Sequence, residues 1–236
     1  MPLVSYVQHL PSQTFGQSTP EQIKKIKTWY FSSLIDNRYG GAKHGSTNVV
    51  LKEDLKMLKD IALNQPNDPK YWQKINVSFS FNDLKRLDNN KSARFTGIMY
   101  LLYSRQKFKN LENNDYVSFS EPVDVHHFFP SNFIKKSFGE SSEEYDISDS
   151  ILNKVHINKI ANIKYKDKSP SKYLNELKEK NINIKDSMKT HQIPCTSELL
   201  SGDLDSEFLK FISERYKLFE EHLNVLSENL IRFQKD

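Results

Sequence analysis

Of the seven histidines, at positions 9, 44, 126, 127, 156, 191 and 222, one pair is adjacent. His126 and His127 lie in the run Val123-Asp124-Val125-His126-His127-Phe128-Phe129-Pro130. This reads as a short extended segment whose end is fixed by apolar neighbours and a proline. Successive side chains on a strand point to opposite sides. A His-His at a strand end can therefore divide labour, one imidazole facing a metal ion and its neighbour facing a water. An unperturbed imidazole titrates near about 6.5, which suits a proton acceptor at neutral pH. A second stretch, residues 151–162, carries Asn153, His156 and Asn162 and runs on to Lys168-Ser169-Pro170-Ser171-Lys172-Tyr173-Leu174. Between 154 and 172 six lysines (154, 159, 164, 166, 168 and 172) stand against one acid, Asp167, a local balance of +5. By default such a strip is a solvated helix face. Beside a reactive histidine pair it can instead neutralise phosphates and make binding salt-dependent. No base-reading element accompanies it, so backbone contact is expected rather than sequence readout.

The order His-His, Asn153, Asn162, with the second asparagine nine positions after the first and Pro170-Ser171 eight positions further on, resembles the HNH (ββα-metal) nuclease motif. It is similar to the HNH domain of RNA-guided CRISPR effector nucleases. It is more similar still to the C-terminal nuclease domain of GmrSD-type modification-dependent restriction proteins, in which HHxFP and N…K-x-PS-x-YL recur. The resemblance is strongest over 123–174. Trp29-Tyr30-Phe31, Arg38-Tyr39 and Asp54-Leu55 resemble the helical segment before such a core, and Phe208-Leu209 with Arg215 its closing helix. The resemblance implies that His126 and Asn162 hold a divalent metal, Mg²⁺ or Mn²⁺ first, with Zn²⁺ or Ni²⁺ admitted by the imidazole. It implies that His127 is the general base and that Asn153 braces the loop carrying it. Lys154, Lys164, Lys166, Lys168 and Lys172 are the expected phosphate contacts. The chain departs from the motif in having Asn162 where many members have His, and Ile163 where a basic residue often follows. His156 is the alternative ligand to Asn162. The resembled proteins join such a domain to a ParB-like nucleotide-using half. No signature of that half is present in this chain, so the chain looks like the C-terminal half alone.

These residues need a fold that is α+β and mostly α-helical, with a ββα-metal HNH core embedded between N- and C-terminal helices. The expected division is a helical segment over 1–114, the nuclease core over 115–180, and a helical segment over 181–236 packing on the first. Residues 1–19 read as an irregular lead-in. Thr19-Pro20-Glu21-Gln22 is a helix start, with a cap residue followed by proline at the first helical position. Helical periodicity continues to Ile35, and it recurs over 50–63, 92–104, 157–164, 170–179 and 205–233. Val77, Phe79 and Phe81 alternate with serines, as in a strand. Two short extended segments are expected at 116–119 and 123–129, and the acidic, serine-rich stretch 139–150 reads as a solvent loop or insertion. Trp29, Tyr30 and the apolar stripe of the last helix read as core. Arg38, Tyr39 and Asp54 read either as a structural ion pair or as a contact to DNA or to the absent half.

Composition sets the outer bounds. With 236 residues the chain makes one large domain or two small ones. Fifteen Phe, eleven Tyr and two Trp are enough for a core despite only 37% hydrophobic residues, which argues against disorder. Seven glycines, with no GxGxxG or GxxxxGK[ST] run, leave dinucleotide and P-loop chemistry unsupported. The single Cys195 excludes an internal disulfide and a multi-cysteine zinc site. No apolar run reaches a membrane span, and no basic stretch leads into an apolar one at the start, so a cytoplasmic protein without a membrane partner is expected. The net charge of +4 permits a nucleic-acid partner without requiring one. The expected activity is that of a metal-dependent HNH endonuclease or nickase acting on DNA in restriction or anti-phage defence. The alternatives are an RNA-cleaving HNH protein and a catalytically degenerate DNA-binding module. One such site cuts one strand at a time, so double-strand breaks would need a homo-oligomer or repeated events.

Overall fold

The computed structural model describes residues 2–40, 44–67, 70–71, 80–104, 108–118, 123–158, 165 and 167–231. Over these residues the protein is mostly helical, with one two-stranded antiparallel sheet. The chain divides into two compact units. One takes residues 1–78, 92–98 and 225–236, and the other 79–91 and 99–224.

The first unit is built on α1 (Pro2–Gln8), α2 (Pro20–Ile35) and α3 (Thr47–Ala62). Thr19 caps α2 as its sequence indicates. The Thr19 hydroxyl accepts from the Gln22 amide at 3.2 Å, and the Gln22 side chain accepts from the Thr19 amide at 2.9 Å, a reciprocal capping box. The Gln22 carboxamide also donates to the Ile61 and Ala62 carbonyls that end α3. The core gathers Tyr6, Leu10, Ile26, Trp29, Leu58 and Ile61. The N-terminal lead-in is thus partly a helix. Pro2 occupies the first helical position, where its missing N–H costs nothing, and Tyr6 is fully buried. Asp54 is fully buried and accepts hydrogen bonds from four side chains: Arg38 through Nη2 (2.7 Å) and Nε (3.0 and 3.2 Å), Trp29 Nε1 (3.1 Å), Tyr71 Oη (2.7 Å) and Tyr39 Oη. Arg38, Tyr39 and Asp54 therefore form a structural ion pair, as one of the two sequence readings had it.

The second unit opens with α4 (Phe81–Lys85). Helix α5 (Ala93–Ser104) gives residues 93–98 to the first unit and 99–104 to the second. There follow β1 (Val123–His127), α6 (Ser131–Phe138), α7 (Glu143–Asp146), a 3₁₀ turn at Ile151–Asn153, β2 (Lys154–Asn158), α8 (Pro170–Lys178), α9 (Ile184–Thr190), α10 (Ser197–Ser201) and α11 (Phe208–Ile231). Three sequence expectations change here. Ile157 and Asn158 are not helical; they extend β2 opposite Asp124 and Val123, because pairing with β1 overrides local helical periodicity. The remainder of that expected helix, 159–164, lies outside the described residues. Of the alternating stretch 77–81, residues 77–79 also lie outside, and Phe81 opens α4 behind a Ser80–Asp83 capping box. The stretch 139–150 is docked rather than solvated at its end: Ser148 and Ser150 are buried, the Ser150 hydroxyl donates to the Leu84 carbonyl (3.1 Å), and the Ile151 amide donates to the Leu87 carbonyl (2.7 Å).

Candidate functional site

The site is built where β1 meets β2. The strands run antiparallel, with His127 opposite Lys154 and His126 opposite Val155. Directly opposed residues lie on the same face, so this register alone brings the Lys154 side chain onto His127. Beyond His127 the chain turns inward. Phe128 and Phe129 are buried, Phe128 stacking on Phe211 of α11 at 5.0 Å between centroids and Phe129 lying 4.8 Å from the same ring. The Tyr173 hydroxyl of α8 donates to the Phe128 carbonyl at 2.7 Å. The two phenylalanines therefore anchor the turn while the two histidines stay partly open.

Asn153 is fully buried at the start of β2 and holds that turn by its whole amide. Its Nδ2 donates to the Phe129 carbonyl (2.9 Å) and the Ser148 carbonyl (2.8 Å), its Oδ1 accepts from the Phe129 amide (2.8 Å), and its own carbonyl accepts from the Phe128 amide (2.7 Å). One asparagine thus ties together the chain leaving β1 and the chain entering β2. Arg215 of α11, also fully buried, fixes the same segment from behind. It donates to the carbonyls of Leu152 (2.8 Å), Lys154 (2.6 Å) and His191 (3.3 Å). No carboxylate pairs with it among the described residues. Burial pushes its pKa down to about 10, which still leaves it charged at neutral pH.

His127 Nε2 is the focus of the polar groups. Asp149 Oδ1 lies 2.7 Å from it, Lys154 Nζ 2.6 Å and Ser131 Oγ 3.1 Å. Lys154 Nζ also donates to Asp149 Oδ1 at 2.7 Å. Burial, then the neighbouring Lys154 charge, hold the His127 pKa below its ordinary value against the opposing pull of Asp149. Burial likewise lowers the His126 pKa, helped by the charge of His127. Burial lowers that of Lys154, with Asp149 opposing. The Asp149 carboxyl lies below its usual value: burial raises it, but the hydrogen bonds and charges of Lys154 and His127 outweigh that. Both histidines are therefore neutral imidazoles near pH 7, the form needed by a proton acceptor and by a metal ligand.

The expected site residues divide into three groups. His126, His127, Asn153 and Lys154 converge at the sheet end. Asn162, Lys164 and Lys166 lie outside the described residues. Lys168 and Lys172 flank the start of α8, where Lys168 pairs with Glu176 at 2.6 Å and Lys172 is exposed. Lys154 is not part of a solvated strip; it is almost fully buried against His127. His156, the alternative ligand, stacks on Tyr103 at 4.2 Å, and burial pushes its pKa down to about 4. Among the described residues no group of three or more His, Cys, Asp or Glu side chains could hold a metal. Of the pair that the sequence reading expects to hold a metal, His126 lies partly buried at the end of β1 and Asn162 lies outside the described residues. Sequence reasoning missed Asp149 and the positioning role of Arg215. Asp149 sits in the acidic stretch that read as solvent loop, and nothing local in the sequence marks it.

No family model matches the chain. An uncharacterized protein of Methanocaldococcus jannaschii, MJ0686, is 29% identical over 221 residues, which cover 84% of this chain and 36% of that protein. The chain thus spans about a third of the length of this curated relative. No helix of the described residues is long and apolar enough to cross a membrane.

Proposed function

We propose that the protein is a metal-dependent HNH-type endonuclease that hydrolyses phosphodiester bonds of DNA one strand at a time. The observation that carries this reading is the strand-end pair His126-His127, held by Asn153 across the turn into β2, with a lysine beside the second imidazole. His127 takes the proton from the attacking water as the new O–P bond forms. The P–O bond to the leaving sugar oxygen breaks, and that oxygen gains a proton from solvent. His126 with Asn162 would hold a divalent ion, Mg²⁺ or Mn²⁺, whose charge would favour the developing negative charge on the phosphate. Lys154, Lys168 and Lys172, with Lys164 and Lys166, supply backbone contacts without sequence readout. A ParB-like nucleotide-using region is the proposed working partner, and restriction or anti-phage defence the proposed setting. Side-by-side incubation of the full chain with labelled duplex DNA, single-stranded DNA and RNA, each with Mg²⁺, Mn²⁺ or chelator, tests this. Metal-dependent cuts in DNA support it. Cuts in RNA alone move the substrate class to RNA, and salt-sensitive DNA binding without cuts under any metal makes the protein a binding module instead.

A further inference from the structure

Three groups crowd one nitrogen. Lys154 Nζ lies 2.6 Å from His127 Nε2, and an ammonium group has donors only. Asp149 Oδ1 lies 2.7 Å from the same nitrogen, and a carboxylate accepts only. Nε2 serves one of the two at a time: a hydrogen there goes to Asp149 and faces the ammonium, and a lone pair there goes to Lys154 and faces the carboxylate. Lys154 Nζ also donates to Asp149 Oδ1 at 2.7 Å, so with a lone pair on Nε2 one ammonium bridges both acceptors. In that arrangement the neutral imidazole carries its proton on Nδ1, and the lone pair that would accept a proton from water is occupied, and so capped, by Lys154.

The cap is positioned to move without the strand. The backbone of Lys154 is held by its pairing with His127 and by Arg215 on its carbonyl at 2.6 Å. Its ammonium is shared with Asp149, whose side chain is 61% exposed. The ion pair thus opens to solvent on the Asp149 side, from which an anionic backbone can reach the ammonium. A phosphate oxygen competes with Asp149 and the imidazole for the same three N–H donors, and charge-assisted bonds to phosphate are among the stronger ones.

We propose that Lys154 is a catalytic residue with two positions: in the free protein it caps His127 Nε2, and on binding nucleic acid it transfers to a non-bridging oxygen of the scissile phosphate, uncovering the base only when substrate is present. The transfer to phosphate rests on the nuclease reading; the cap does not. Both imidazole and ammonium stay in the protonation states they had, so the exchange needs no proton from outside.

The test combines histidine nitrogen NMR with kinetics on the full chain. In the metal-free wild type, His127, assigned by its absence in His127→Ala, is expected as the Nδ1–H tautomer with Nε2 as acceptor. An Nε2–H tautomer overturns the proposal without recourse to any variant. Adding a short DNA duplex in chelator is expected to shift the His127 Nε2 resonance in the same direction as Lys154→Met does, since both remove the cap. A Nε2 resonance that stays at its free-protein position on saturation with DNA overturns the transfer. Lys154→Met, which keeps the buried stem, is expected to slow single-turnover cleavage by about a hundredfold, the usual cost of one charged stabilising group, with Lys154→Arg recovering part of the rate. Cleavage unchanged in Lys154→Met overturns the catalytic role. If the wild type cuts neither DNA nor RNA, the nuclease reading and the transfer fall together, and the tautomer alone decides the cap.

Discussion

Replacing Asn153 tests whether one buried amide holds the turn that presents His127. Its side chain makes three hydrogen bonds, to the Phe129 carbonyl, the Ser148 carbonyl and the Phe129 amide, all at 2.8–2.9 Å, and none of it is exposed. Asn153→Ala leaves three buried backbone groups unpaired. At about 1 kcal/mol for each bond lost, rising to about 1–3 kcal/mol where the remaining partner stays dry, the expected loss is roughly 3–5 kcal/mol. Asn153→Asp keeps the shape but turns an oxygen toward the two carbonyls that now accept. An ionised carboxylate there is repelled, so the fold favours the protonated acid and raises its pKa above the unfolded value. The penalty is then largest at neutral pH and shrinks as pH falls through that raised pKa toward the unfolded one. Urea unfolding of the three proteins, followed by circular dichroism between pH 4.5 and 7.5, measures both effects. The reasoning is refuted if Asn153→Ala costs under about 1 kcal/mol, less than a single such bond, or if the Asn153→Asp penalty grows on acidification.

Other outcomes follow from neighbouring groups. Arg215→Met removes three bonds to buried carbonyls and should lower unfolding stability by about 2–4 kcal/mol in the same assay. Asp54→Ala leaves the Arg38 guanidinium, whose side chain is 2% exposed, with the longer contact to Glu53 at 3.4 Å, and should cost about 3–5 kcal/mol by denaturant titration. His191 is fully buried, with burial pushing its pKa down to about 4. A depressed histidine pKa makes the unfolded chain bind the extra proton. Its stabilising contribution is therefore complete above the unfolded value near 6.5 and is lost as pH falls from there toward 4, by up to about 1.4 kcal/mol per pH unit. His191→Gln should flatten that slope in a series of melts.

Much of the local structure is legible in the sequence. Thr19-Pro20 and Ser169-Pro170 carry the cap residue and N1 proline of α2 and α8, and the apolar stripe of α11 follows helical period. The HHFFP run is legible as a strand end because its two halves have opposite preferences: the imidazoles can remain half-exposed while the phenylalanines must be buried. What stays hidden depends on residues far apart in the chain. That Lys154 faces His127 follows from strand register, which no local pattern in 154–172 states. Asp149 reaches the site because Ser150 and Ile151 dock on the α4 region through single hydrogen bonds. Arg215 serves carbonyls 61 and 63 residues away in the chain. Residues 1–19 hide α1 because its stability comes from Tyr6 entering the core rather than from helical periodicity.

The most direct measurement is nicking of supercoiled plasmid by the full chain in Mn²⁺, comparing wild type with His127→Ala. The account predicts conversion to open circles that depends on the metal, stops in chelator, and falls at least about a hundredfold in His127→Ala, the lower end of the range for a general base. Nicking that continues at the wild-type rate in His127→Ala would contradict it.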